Sequence, residues 1–146
     1  MEKINEISME GFRVVSSDFF TAMTRTQAPT LTIWDGSIGF CKSDITMLNG
    51  CENVLIHINS EARKILIVPT SSSDKDAVRW VKKSHPREGR KISCKKLTDS
   101  MFDIWKWDRE YIYRTVGRLV TSGNKVMLLF DFSEPECWKR PEAKSV

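Results

Sequence analysis

The dipeptide Asp35-Gly36 stands between two short segments, Thr30–Trp34 and Ser37–Phe40, in which apolar residues alternate with polar or small ones. Alternation of period two puts one set of side chains on each face of an extended strand. Asp-Gly supplies the positive φ values that a two-residue hairpin needs. The stretch is therefore committed to antiparallel sheet by local chemistry alone.

The remainder of the chain repeats this grammar. Ser43-Asp44 can cap a short helix running to about Leu48, which Asn49-Gly50 stops. Asn53–Asn59 alternates again, the segment 59–63 turns the chain, and Lys64–Val68 reads as a strand ended by Pro69. The order then recurs. Lys91–Cys94 reads as a strand, and Thr98-Asp99 opens a helix bearing Met101, Phe102, Ile104 and Trp105. Tyr111–Val120 is a long alternating strand, Ser122-Gly123-Asn124 a turn, and Val126–Phe132 an apolar strand.

The expected fold class is α+β, a mostly antiparallel sheet with short helices, in a single domain over 1–146. Two β-α-β-β halves, at 11–69 and 91–132, would share one core, matching in pattern and not in residues. The first half gains an extra N-terminal strand at Phe12–Val15, followed by a helical turn at Ser17–Met23. Between the halves lies a polar connector, 70–90, in which Asp74–Lys83 can form a helix capped by Asp74 with Ala77, Val78 and Val81 inward. The tail, 133–146, holds two prolines and little periodicity, and is expected at the surface.

Hydrophobic residues at 40% and charged residues at 29% suit a globular chain and not a disordered one. No apolar run approaches the roughly 18–20 residues that span a bilayer, and Met1–Glu10 is polar and partly acidic, unlike a targeting signal. A cytoplasmic protein without membrane contact is expected. Cys41, Cys51, Cys94 and Cys137 are scattered, with no C-x-x-C pair and only His57 and His85 beside them. Free, buried thiols are therefore expected, with no metal and no cofactor.

Charge is the most informative feature. Residues 1–78 net −3 and residues 97–146 net zero, whereas residues 79–96 hold eight basic side chains against Glu88 alone. These are Arg79, Lys82, Lys83, Arg87, Arg90, Lys91, Lys95 and Lys96. Like charges so concentrated repel one another, so a stretch of this kind meets an anionic partner or lies spread in solvent. A nucleic-acid backbone supplies the opposite charge and releases counterions on binding. An acidic protein surface and a plain solvated connector are the alternatives. Trp80 lies within the stretch and either stacks on an exposed base or covers the core. On Tyr111–Val120, Arg114 and Arg118 share a face with Ile112 and Val116, about 13 Å apart. They either extend the basic surface or pair with Asp108 or Glu110.

Catalysis finds little support in the residues. His57 sits mid-strand in an apolar run, as a structural histidine would. His85 precedes Pro86 in the basic connector with only Glu88 as an acidic neighbour. The seven glycines form neither a G-x-x-x-x-G-K-S/T nor a G-x-G-x-x-G phosphate loop. In Trp107-Asp108-Arg109-Glu110 two carboxylates lie close in sequence, a weak signal for a metal-dependent nuclease. A non-enzymatic binder with no small-molecule substrate is expected.

The chain also resembles a largely uncharacterised family of small proteins carried by mobile elements and phages of gut Gram-positive anaerobes. The likeness rests on Gly11-Phe12 through Phe19-Phe20, Pro29–Phe40, Ile65–Pro69, Asp74–Trp80, Ile92–Cys94, and Tyr111–Phe132 with Gly117 and Phe130-Asp131. It covers about residues 11–135. Members are sometimes labelled integrase, but neither the histidine motif of a tyrosine recombinase nor the early nucleophilic serine of a serine recombinase is present. The resemblance implies an accessory or regulatory protein of a mobile element, and the basic stretch makes DNA or RNA its expected partner. Its alternative is an anti-defence inhibitor of the anti-CRISPR type that binds a host nuclease complex.

Overall fold

A computed structural model describes residue 6, residues 8–15 and residues 28–141. Strands β1 (Thr30–Trp34) and β2 (Ser37–Phe40) form the hairpin around Asp35-Gly36, with Gly36 at φ 97°. Helix α1 (Lys42–Met47) follows and ends where Asn49 and Gly50 turn left-handed, at φ 57° and 73°. Next come β3 (Asn53–Asn59), β4 (Lys64–Thr70), the two-residue β5 (Val78–Arg79) and β6 (Lys91–Ser93). Helix α2 (Lys95–Ile104) leads into the twelve-residue β7 (Tyr111–Ser122), then β8 (Lys125–Asp131) and β9 (Glu136–Lys139). The class is α+β and the sheet is antiparallel at every pairing.

Strands neighbour one another in the order β5-β3-β4-β8-β7-β1-β2-β6. The long β7 joins two groups of strands: its Gly117–Ser122 half pairs with β8, and its Tyr113–Val116 part pairs with β1. Strand β9 takes the opposite edge from β1, because Tyr113 and Arg114 pair with both. The two ends of the path then meet. Beyond β5, the amide of Arg90 donates to the Trp80 carbonyl at 3.2 Å and that of Lys82 to the Glu88 carbonyl at 3.1 Å. Val81 bridges Gly89 between them. Residues 80–90 thus form a hairpin that links β5 to β6 and closes the ring of strands, which satisfies edges that would otherwise be open.

Closure explains which side chains are inside. Cross-strand partners share a face, so Ile33 with Ile38, Ile56 with Ile67, Ile65 with Phe130, and Leu128 on β8 all point inward. Ile45 and Leu48 from α1 and its end, and Met101, Phe102 and Trp105 from α2 and its end, complete one core. Gly117 is required there: a Cβ on it would lie 2.5 Å from the Phe130 ring. Arg109 clasps the outside of this layer, reaching Asp35 of the β1–β2 turn at 2.9 Å, Asp99 at 2.6 Å and Asp103 at 3.3 Å.

Several expectations are corrected. No helix forms over 74–83; Asp74 caps only a turn, accepting from the Asp76 amide at 3.0 Å, and Val78–Arg79 is strand. Trp80 and Val81 are successive in sequence and both wholly buried, a pattern that suits a closing strand and not one helix face. Phe12–Val15 is exposed and not strand, and the turn at Ser17–Met23 lies outside the described residues. Pro69 stays within β4 opposite Val54, and part of the tail forms β9. Helix α2 begins one turn before Thr98, whose buried hydroxyl instead accepts the Gly36 amide at 2.9 Å.

Candidate nucleic-acid interface

The basic stretch is the hairpin that closes the sheet, with its continuation into β6 and α2. Trp80, considered above as a base-stacking residue, is corrected: it is 0% exposed, donates Nε1–H to the Cys51 carbonyl at 2.6 Å and meets Phe40 edge-on at 5.2 Å. Hydrophobic burial and its one polar bond both fix it in the core. Around it the cations divide. Arg79 is half-buried and reaches Glu52 at 3.3 Å. Lys82 crosses the hairpin to Glu88 at 3.1 Å, and this neighbour holds the Glu88 carboxyl below its ordinary range. Lys83 and Arg87 are exposed in the hairpin loop. Lys95 and Lys96 are exposed in the first turn of α2, with Lys95 3.5 Å from Asp99.

Three of the cations converge on the outer face. A shallow concavity of about 320 Å³ is bordered by Lys82, Arg90 and Lys91 on one side and by Thr30, Thr32 and Trp34 on the other. Its shape follows from two glycines. Gly89 lets the hairpin approach β2, where a Cβ would collide with the Phe40 carbonyl, and Arg90 there accepts the Phe40 amide at 3.2 Å. Gly39 lets the Trp34 indole lie on the sheet, since a Cβ on Gly39 would come 2.6 Å from its Cζ3. The Lys91 ammonium rests 4.3 Å above the same ring. Trp34 is thus the aromatic group of this surface that sequence reasoning missed. The available signal was a glycine inside a four-residue strand, which marks a close approach.

The register carries the charge across the face. Lys91 is opposite Gly39, Gly39 opposite Thr32, and Thr32 opposite Arg114. At the usual strand spacing, Lys91 and Arg114 stand about 14 Å apart on one outward row. Arg114 pairs with neither Asp108 nor Glu110. It makes two bonds to Glu136, at 2.8 and 3.3 Å, and lies 5.1 Å over Trp138. Arg118 is exposed two positions along the same face from Val116, beside Leu129 and Asp131.

Other chemistry is sparse. His57 is exposed on the outer face of β3, and His85 sits in the hairpin loop 2.9 Å from Ser84 Oγ. The four cysteines are free, three half-buried and Cys137 exposed, where full burial was expected; burial pushes the thiols of Cys51 and Cys94 up. Among the described residues, no three His, Cys, Asp or Glu side chains gather as metal ligands, and no helix is long and apolar enough to cross a membrane. Among the described residues, Asp44 is the buried acid of the core: its side chain is fully buried, Oδ2 accepts the Cys41 amide at 2.9 Å, and Oδ1 has no partner there. Compared with family models, curated proteins and solved structures, the chain matches none.

Proposed function

We propose that this chain is a non-enzymatic nucleic-acid-binding protein, an accessory or regulatory component of a mobile element or phage. The observation that carries the reading is the convergence of Lys82, Arg90 and Lys91 on one outward concavity that also presents an aromatic ring. Cations there meet phosphates, which position a bound strand without reading its sequence. Lys83 and Arg87 at the hairpin tip and Arg114 on β7 extend the contact surface on either side. Arg79, Lys82, Lys95 and Arg114 already hold carboxylates and contribute less free charge.

The same reading takes the molecule as two related β-α-β-β halves around one core. Its support is the pairing scheme: β2 pairs with β6 and β4 with β8, while β3 pairs with β4 as β7 does with β8. The short β5 meets β3 as β1 meets β7. Strands β2 and β4 of the first half thereby each pair with a strand of the second.

The test is binding by the isolated chain to labelled DNA and RNA, compared with a variant carrying Lys82→Gln, Lys83→Gln, Arg90→Gln and Lys91→Gln. All four side chains are at least partly exposed, so the fold is expected to survive. Affinity falls broadly across sequences if these residues meet phosphates. Equal affinity of the folded variant and the parent would remove the hairpin from consideration.

A further inference from the structure

Resting on the nucleic-acid reading, we infer that the concavity takes a single strand, with one unpaired base stacked on the Trp34 indole and the flanking phosphates held by Lys82, Arg90 and Lys91. The argument begins with the ring itself. The Cζ3–Cη2 edge of its six-membered part comes down on Gly39, 2.6 and 2.8 Å from where a Cβ would lie, so the ring stands by that edge on the sheet. Over one face of the ring lies the Lys91 ammonium, at 4.3 Å. A cation over an exposed indole is held only weakly. A nucleobase offers a larger π surface at the same place. When it stacks, Lys91 swings off the ring, and its charge becomes available to the adjoining phosphate.

Geometry favours a strand over a duplex. The hollow of about 320 Å³ has room for one base, and its walls, Thr30 and Thr32 on β1 and the closing hairpin, are polar or charged. A duplex keeps its bases stacked and paired inside, and is read by an element that enters a groove. Here the residues that border the concavity lie in or next to β1, β2, β6 and the closing hairpin, and none lies in a helix that could enter a groove. Flat aromatic rings set among cations are instead the platform that single-strand binders use.

The test uses the full chain and four labelled probes of equal length: an oligothymidylate, an oligoriboruridylate, a duplex, and an abasic single strand that keeps the phosphates but lacks bases. Trp34→Ala is expected to weaken the two base-bearing single strands by roughly 10-fold, the scale of one lost stacking contact. Trp34→Phe should recover most of this, and the salt dependence should stay as in the parent, because no cation is removed. The abasic strand should bind parent and Trp34→Ala alike. Gly39→Ala is the second variant: it changes no charge and no aromatic residue, yet displaces the ring, and should weaken the base-bearing strands in the same sense. The inference is overturned if Trp34→Ala and Gly39→Ala bind the single strands as the parent does, or if the parent prefers the duplex. In either case nucleic-acid binding itself still stands. Only the absence of binding to all four probes at low salt removes both readings.

Discussion

Replacing Asp44 by Asn should abolish a loss of stability that the parent suffers as pH rises from 5 to 8. Asp44 is fully buried in α1, and one of its oxygens has no partner, so the charged form is disfavoured there. Burial pushes its pKa from 3.8 up to about 7, against smaller opposing effects from hydrogen bonding to Cys41 and to the Thr30 peptide. The folded chain thus keeps a proton that the unfolded chain has already released near pH 4. Between those two values the native state binds more protons, and stability falls as pH climbs. The contribution is whole below about pH 4 and lost through pH 7 and above. A separation of about three pKa values corresponds to roughly 4 kcal/mol at most, and relaxation around a buried carboxylate reduces it to about 2–3. Against a typical total of about 5–15 kcal/mol this is a measurable share. The assay is urea unfolding of parent and Asp44→Asn at pH 5, 6, 7 and 8. Asn retains an acceptor for the Cys41 amide. The variant should gain on the parent from pH 5 to about 7 and level off toward pH 8. Parallel stability curves over that range would refute the reasoning, whatever constant offset separates them.

Two further outcomes concern the core. Gly117→Ala places a methyl 2.5 Å from the fully buried Phe130 ring, and should cost about 1–3 kcal/mol by overpacking, measured by thermal or urea unfolding. Trp80→Phe removes the 2.6 Å bond to the Cys51 carbonyl and part of the packing on Phe40. It should cost about 2–4 kcal/mol by the same measurement, while nucleic-acid affinity of the folded fraction stays at the parent's value. A stable Trp80→Phe with lost affinity would return Trp80 to the binding surface.

Local chemistry made much of this fold legible. Asp35-Gly36 and Ser122-Gly123-Asn124 announce their hairpins because the turn geometry is carried by the residues in the turn. Asn53–Asn59 and Tyr111–Val120 announce strands because each buries alternate side chains. What stayed hidden depends on partners distant in sequence. Ala77, Val78 and Val81 fit a helical face as well as a strand until Trp80 is known to donate its amide to the Glu52 carbonyl and to receive that of Arg90. Strand β9 is polar and follows Pro135, and it is ordered by pairing with β7. The choice between two tryptophans was hidden for the same reason. Trp80 sits among the lysines in sequence but points inward at the ring closure, whereas Trp34 lies 57 positions before Lys91 and meets it only in three dimensions. The charge itself was plain in the sequence; which part of it remained free was not, because Glu52, Glu88, Asp99 and Glu136 are assigned to their cations by the fold.

The most direct measurement is fluorescence anisotropy of a labelled single strand with the purified chain across a salt series. If Lys82, Lys83, Arg90 and Lys91 each displace a counterion from a phosphate, the logarithm of affinity should fall against the logarithm of salt with a slope of about −3. The four-fold glutamine variant should show weaker binding and a distinctly shallower line. No binding by the parent at low salt, or a parent and variant with the same slope, would contradict the account.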